Sequence, residues 1–169
     1  ATCSVIMLAL VSNNVPRVLN LKEILEEYIK HQKDVICRRT RYEINKAKAR
    51  AHILEGLIKA IDYIDEVISI IKNSRSIAES KQALIDRFEL DDVQAQAIVD
   101  MRLGQLSGLE REKIETEYKE LLEKIAQLEQ ILADDGKVIN IIRDDLLDIK
   151  SRFNDERRTT ISQGEIGIE

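Results

Sequence analysis

The chain has 169 residues, a net charge of −5, 34% charged and 4% aromatic residues, and no Trp. That length allows one or two small domains. The excess of acid excludes a general pull onto nucleic acid or an anionic membrane, so contact with either needs a local patch.

One proline, Pro16, and six glycines in a background of Leu, Ile, Glu, Lys, Arg and Ala point to long helices and coiled coils. Cys3 and Cys37 lack ligand spacing and read as two reduced thiols of a cytoplasmic protein. The opening ATCSVIMLALV has no basic residue before it and makes a poor signal peptide. No apolar run approaches the roughly 20 residues that span a bilayer. The missing initiator Met gives the expectation of a chain cut from something larger.

In chain order, Ser4 to Val11 and Val15 to Asn20 are β-branched or apolar runs separated by Ser-Asn-Asn, the pattern of a hairpin. Asn20 then suits a helix cap, with Glu23 three residues on to complete a capping box. From Leu21 to about Lys72 only Gly56 interrupts, as a kink or joint. Leu54, Leu57, Ile61, Ile64, Ile68 and Ile71 alternate at spacings of three and four, a seam of coiled-coil type. The seam weakens at Thr40 and Glu43 and resumes at Ala47 and Ala51. A continuous helix of this extent measures roughly 78 Å, too long for a small globular domain to surround.

Asn73 to Ser76 is a polar break. Two short helices follow, Ile77 to Phe88 and Asp91 to Leu103, with Asp91 or Asp92 as N-cap or first-turn acid. Past Gly104 and Gly108, Ile114, Tyr118, Leu121, Ile125, Leu128 and Leu132 repeat the three-four alternation. That helix stops at Ala-Asp-Asp-Gly, with Gly136 at its end. A last helix runs from Lys137 to about Phe153, and the polar tail returns as a short strand at Thr159 to Ser162. The predicted fold is mainly α: long antiparallel coiled-coil arms, a small helical globular tip and a short β-hairpin at the base. Its divisions are 1–20 (hairpin base), 21–55 (outgoing arm), 56–107 (tip), 108–153 (returning arm) and 154–169 (tail). The arm seam consists of Leu54, Leu57, Ile61, Ile114, Tyr118, Leu121, Ile125 and Leu128.

The stretch Lys33 to Arg50 carries seven basic and two acidic residues, and Glu110 to Gln130 seven acidic and four basic. Fold-back sets one beside the other, so interhelical charge matching accounts for the basic run, and side chains turned from the seam stay free for DNA. Arg41-Tyr42 suggests an activated tyrosine nucleophile, but no acidic cluster or usefully spaced His accompanies it. His31 and His52 are isolated. There is no P-loop, no G-x-G-x-x-G after a strand and no carboxylate pair. No catalytic, cofactor-binding or metal residue is expected.

The helix from Asp91 is apolar on two sides. Val93, Ala97, Ile98 and Met101 cover one, and Ala95, Val99, Leu103 and Leu106 the other; Gln94, Gln96, Asp100 and Arg102 interrupt. One side can pack on Ile77–Phe88 and the Leu57–Ile71 stripe. The other either faces a second copy across a two-fold axis or is buried in the tip as well. We expect Val93, Ala97, Ile98 and Met101 in a dimer interface, although the opposite side is the alternative. A scaffold or adaptor whose tip binds another protein is the rival reading.

RRTRYEINKAKARAHILEGLIKAID, QAQAIVDMRLGQLSGLEREKIETEYKELL and NDERRT closely resemble the A subunits of bacterial type IIA topoisomerases, those of DNA gyrase first and of topoisomerase IV second. The resemblance runs from about Met7 to Ile161; Gly104-Gln105 departs from the longer polar or basic residues usual there. It implies the coiled-coil segment that ends in the C-gate, the exit interface of an ATP-dependent DNA-passing dimer. It further implies that the catalytic tyrosine and DNA-binding domain precede Ala1 and a DNA-wrapping propeller follows Glu169. ATP and magnesium would act in a B subunit, and a DNA duplex would pass transiently through the cavity between two copies. No membrane partner is implied.

Overall fold

The computed structural model describes residues 5–11, 14–101 and 108–159. It forms two compact units, Ala1–Lys33 with Gly136–Glu169, and Asp34–Asp135. One long helix passes through the boundary at Lys33.

In the first unit, β1 (Leu8–Val11) and β2 (Val15–Val18) pair antiparallel, Leu8 opposite Val18 and Val11 opposite Val15. Asn14 takes the left-handed conformation at φ 59°, which an Asn side chain tolerates. Ser4, Ser12 and Asn13 lie outside the described residues. Asn20 starts α1 (Leu21–Asp62). Its Oδ1 accepts from the Glu23 amide at 2.9 Å, and the Glu23 carboxylate accepts from the Asn20 amide at 2.8 Å. The capping box predicted from the spacing is thus formed. Leu19, Val138 and Ile142 are buried in this unit. Tyr28 and Gln32 line a shallow cleft with Ile142, Asp145, Leu146 and Ile149. These last residues belong to α6 (Asp135–Phe153).

Helix α1 has 42 residues, about 63 Å, and is shorter than expected. It stops where Tyr63 turns to φ −117°, ψ 38°, and α2 (Ile64–Asn73) begins on a new course. Gly56 causes no joint; it lies buried within α1. After α2, Ser76 caps α3 (Ile77–Phe88) by accepting from the Glu79 amide at 3.2 Å, and Glu89 ends it in the left-handed region at φ 52°. Then come α4 (Asp92–Val99) and α5 (Gly108–Ala133). Gly136 does not end α5: the break is Asp134, and Gly136 sits in the first turn of α6. No strand begins at Thr159, and the rest of the expected tail strand lies outside the described residues.

In the second unit α1 and α5 run antiparallel. Ala47 and Ala51 pack with Ile125, Leu121 and Tyr118. Lys48 reaches Glu129 at 2.6 Å, Arg50 grips Glu117 with two bonds at 2.7 and 3.0 Å, and Asp62 accepts from Arg111 at 2.6 Å. Lys48–Glu129 and Arg50–Glu117 form the charge matching read between the two stretches at its α5-facing end, and Asp62–Arg111 adds a pair of reversed polarity beyond it. Thr40 and Ile44 continue the buried side of α1, while Glu43 stays at the edge. A four-residue step from 40 to 44 keeps the stripe on one face, so the apparent weakening of the seam is a shift of register by one residue.

Candidate functional site

The second core collects Ala60 of α1, Val67 of α2, Leu84 of α3, Leu90 just ahead of α4 and Ile98 within it, with Leu57, Ile70, Phe88 and Val99 packed around them. Leu57, expected in the arm seam, belongs to this cluster instead. Of the other seam residues, Leu54 is fully buried, Ile61 and Ile125 are buried, and Ile114, Tyr118, Leu121 and Leu128 are half-buried. In α2 the buried side chain is Val67, and Ile71 is exposed. Val67 lies seven residues after Ala60 and so shares its core-facing row, beside the seam row and not on it.

Helix α4 lies over this core because its N-terminus is pinned. Asp91 Oδ1 accepts from the Gln94 amide at 2.8 Å, and Gln94 Oε1 accepts from the Asp91 amide at 3.2 Å, a complete capping box. Both partners also reach α1. Gln94 Nε2 donates to the His52 carbonyl at 2.8 Å, and His52 Nε2 donates to Asp91 Oδ2 at 2.5 Å. The Gln94 amide and the His52 ring hold the Asp91 carboxyl below its ordinary value of 3.8. Gln94, only 6% exposed, has its polar atoms satisfied in this way, as a buried amide requires.

Gly56 makes the approach possible. A Cβ on Gly56 would stand 2.8 Å from Gln94 Cβ and 2.9 Å from its Cγ, inside van der Waals contact. In the sequence His52, Gly56 and Gln94 are an isolated histidine, a joint and a polar interruption. The signal for their association is the Asp-x-x-Gln spacing of the cap together with a glycine one turn from a histidine on a core-facing helix.

The four residues proposed for an interface do not share one outer surface. Val93 is 55% exposed, and Ala97 and Met101 are half-buried. Ile98 is 2% exposed inside the core, which corrects its assignment. It sits three residues after Ala95 and four after Gln94, so all three turn inward on one face. Ala95 is fully buried and Val99 packs on the core, the side read as the alternative. The outer face is therefore Val93 and Ala97, with Met101 at its margin. It is framed by Gln96 bonded to Asp100 at 2.9 Å and by Lys81 paired with Asp92 at 2.8 Å. Leu103, Leu106 and the Gly104-Gln105 departure lie outside the described residues.

Among the described residues no three His, Cys, Asp or Glu side chains gather in a way that would hold a metal ion. No helix among them is long and apolar enough to cross a membrane.

Residues 1–147 match the family model for the A subunit of DNA gyrase/topoisomerase IV. Similar curated proteins include the DNA gyrase A subunit of Halalkalibacterium halodurans, 58% identical over 159 residues, covering 94% of this chain and 19% of that relative. That of Clostridium acetobutylicum is 55% identical over 168 residues, 99% of this chain and 20% of the relative. That of Staphylococcus aureus strain MRSA252 is 54% identical over 158 residues, 94% and 18%. The chain spans about a fifth of the length of these relatives.

Proposed function

The chain belongs to the family of DNA gyrase/topoisomerase IV A subunits, and from that premise we propose that it is the non-catalytic C-gate segment of a DNA gyrase A subunit. In this reading two copies meet through the outer face of α4, keep the dimer closed while DNA is cut elsewhere, and part to release the transported duplex. ATP and magnesium serve the parent enzyme through its B subunit. The chain supplies a lever and a contact surface, and no reacting group.

The observation that supports this most directly is the two-sidedness of α4. One face is fixed to α1 by Gln94 and His52 and packed on the core through Ala95 and Ile98. The other offers Val93, Ala97 and Met101 to a partner. An interface that must open once per cycle calls for a modest apolar contact, not a large obligate one. Equilibrium sedimentation of the chain tests the proposal, with a concentration-dependent dimer as the expected result. A strictly single species at high concentration refutes it and favours the adaptor reading.

A further inference from the structure

We propose that His52 is a proton-operated latch on the first turn of α4: its neutral ring holds the outer face in place, and its charged ring lets that face shift. The two ring nitrogens meet partners of opposite kind. Nε2 faces the Asp91 carboxylate at 2.5 Å, and Nδ1 faces the Gln94 amide nitrogen at 3.5 Å. An ionised carboxylate only accepts and an amide nitrogen only donates, so the arrangement suits the neutral ring with its proton on Nε2. A histidine takes its second proton between about pH 5 and pH 8. Here that proton belongs on Nδ1, and two N–H groups then point at each other.

Gln94 cannot answer by turning its amide over. Its nitrogen donates to the His52 carbonyl at 2.8 Å, and its oxygen accepts from the Asp91 amide at 3.2 Å. Turned over, it would set oxygen against the carbonyl and N–H against N–H, in a buried place where water does not replace the lost bonds. The stem of Gln94 fills the space over Gly56, so the side chain yields only together with the helical turn that bears it. That turn also bears Val93 of the outer face. Meanwhile the charged ring pulls harder on Asp91, which stays ionised over this range because its carboxyl is held below its ordinary value of 3.8. Both members of that pair are half exposed, which keeps the pull modest. The contact at Nδ1 is long for a hydrogen bond, and its loss is modest too. Gain and loss offset, so α4 shifts while the thermal midpoint stays level.

The charges around the ring leave Asp91 as its ionic partner. Asp92, next along α4, pairs with Lys81 of α3. On α1, Lys48 is held by Glu129 and Arg50 by Glu117, both from α5, and Lys59 reaches the Phe88 carbonyl. Glu55, one turn further along α1, is exposed. Among the described residues none of these is bonded to the ring. The consequence for the gate rests on the reading of the outer face as the contact between copies; the latch itself does not.

The test is a pH series on the 169-residue chain, from about pH 8 to about pH 5. In nitrogen–proton correlation NMR the side-chain amide signals of Gln94 should move in step with the titration of the His52 ring. Sedimentation of the same samples should show the dimer weakening about fivefold toward the acid end, the low end of coupling between two sites. His52→Gln, whose amide can still donate to Asp91, should abolish the sedimentation response with circular dichroism unchanged. His31→Gln, at the other histidine of the chain, should leave both responses as they were. Gln94 signals that ignore the ring's titration overturn the latch, and so does a pH-dependent dimer whose dependence survives His52→Gln. A chain that is monomeric at every pH defeats the gate assignment instead, and the Gln94 signals then decide the latch alone.

Discussion

Gly56 is defined by what it lacks. The Gln94 side chain occupies the space a β-carbon would fill, with its own Cβ and Cγ within 2.9 Å of that point. Gln94 cannot retreat easily, because its amide is bonded to the His52 carbonyl and the Asp91 amide. Gly56→Ala should gain up to about 1 kcal/mol of helix propensity and lose about 1–3 kcal/mol to overpacking. The expected outcome is a less stable chain, seen as a lower urea midpoint. Truncating the obstacle, Gln94→Ala, in the Gly56→Ala background should cost less than the two changes added separately, the coupling expected of residues in contact. A Gly56→Ala protein as stable as the parent removes this account of the glycine. The sequence holds the cap spacing at Asp91–Gln94, but not the pairing of Gln94 with Gly56. A glycine in a helical pattern reads as a flaw in that pattern, and its partner lies on another helix at a distance along the chain that periodicity does not encode.

Helix starts are more legible than helix stops. The Asn20–Glu23 and Asp91–Gln94 boxes follow local spacing, and local spacing is what a capping residue reads. The end of α1 at Tyr63 is hidden, because Ile61, Ile64, Ile68 and Ile71 continue the same alternation through it. Tyr is not a strong helix breaker, so tertiary packing of Val67 on the core decides the turn. The caps and pairs also set an acid limit. Gln94 and His52 depress Asp91, and Arg50 depresses Glu117 below its ordinary value of 4.5. A carboxylate with a lowered folded-state pKa contributes fully above its unfolded value, and that contribution is lost as pH falls through the folded one. Thermal stability should therefore be level from neutrality down to about pH 5 and decline below about pH 4. Asp91→Asn and Glu117→Gln should lower stability at neutral pH and flatten that decline. An unchanged acid profile in both variants shows that these groups do not govern it.

The proposed self-association belongs to two chains together, and substitutions on the two faces of α4 test it apart from folding. Val93→Asp places a charge on the outer face and should weaken the dimer at least tenfold, about 1.4 kcal/mol, with circular dichroism unchanged. Met101→Asp, at the margin, should have a smaller effect in the same direction. Ile98→Asp puts a charge into the core with no partner and should unfold the surrounding unit, a loss of about 3–5 kcal/mol. If Val93→Asp leaves the dimer mass unaltered, the outer face is not the contact. The helical class, the hairpin and the α1–α5 charge matching are readable because composition, turn residues and opposed charge runs act over many positions at once. The inward orientation of Ile98 is not, since a helix apolar on two sides leaves its rotation to its neighbours.

The fit between Gly56 and Gln94 also acts as a ruler on the chain between them. One residue added to α2 or α3 would turn all that follows by about 100°, so the tooth at Gln94 would miss its notch. Length changes in a descendant of this protein are then steered to the bend at Ser74–Ser76, where slack can be absorbed, and away from the helices, where counting is enforced.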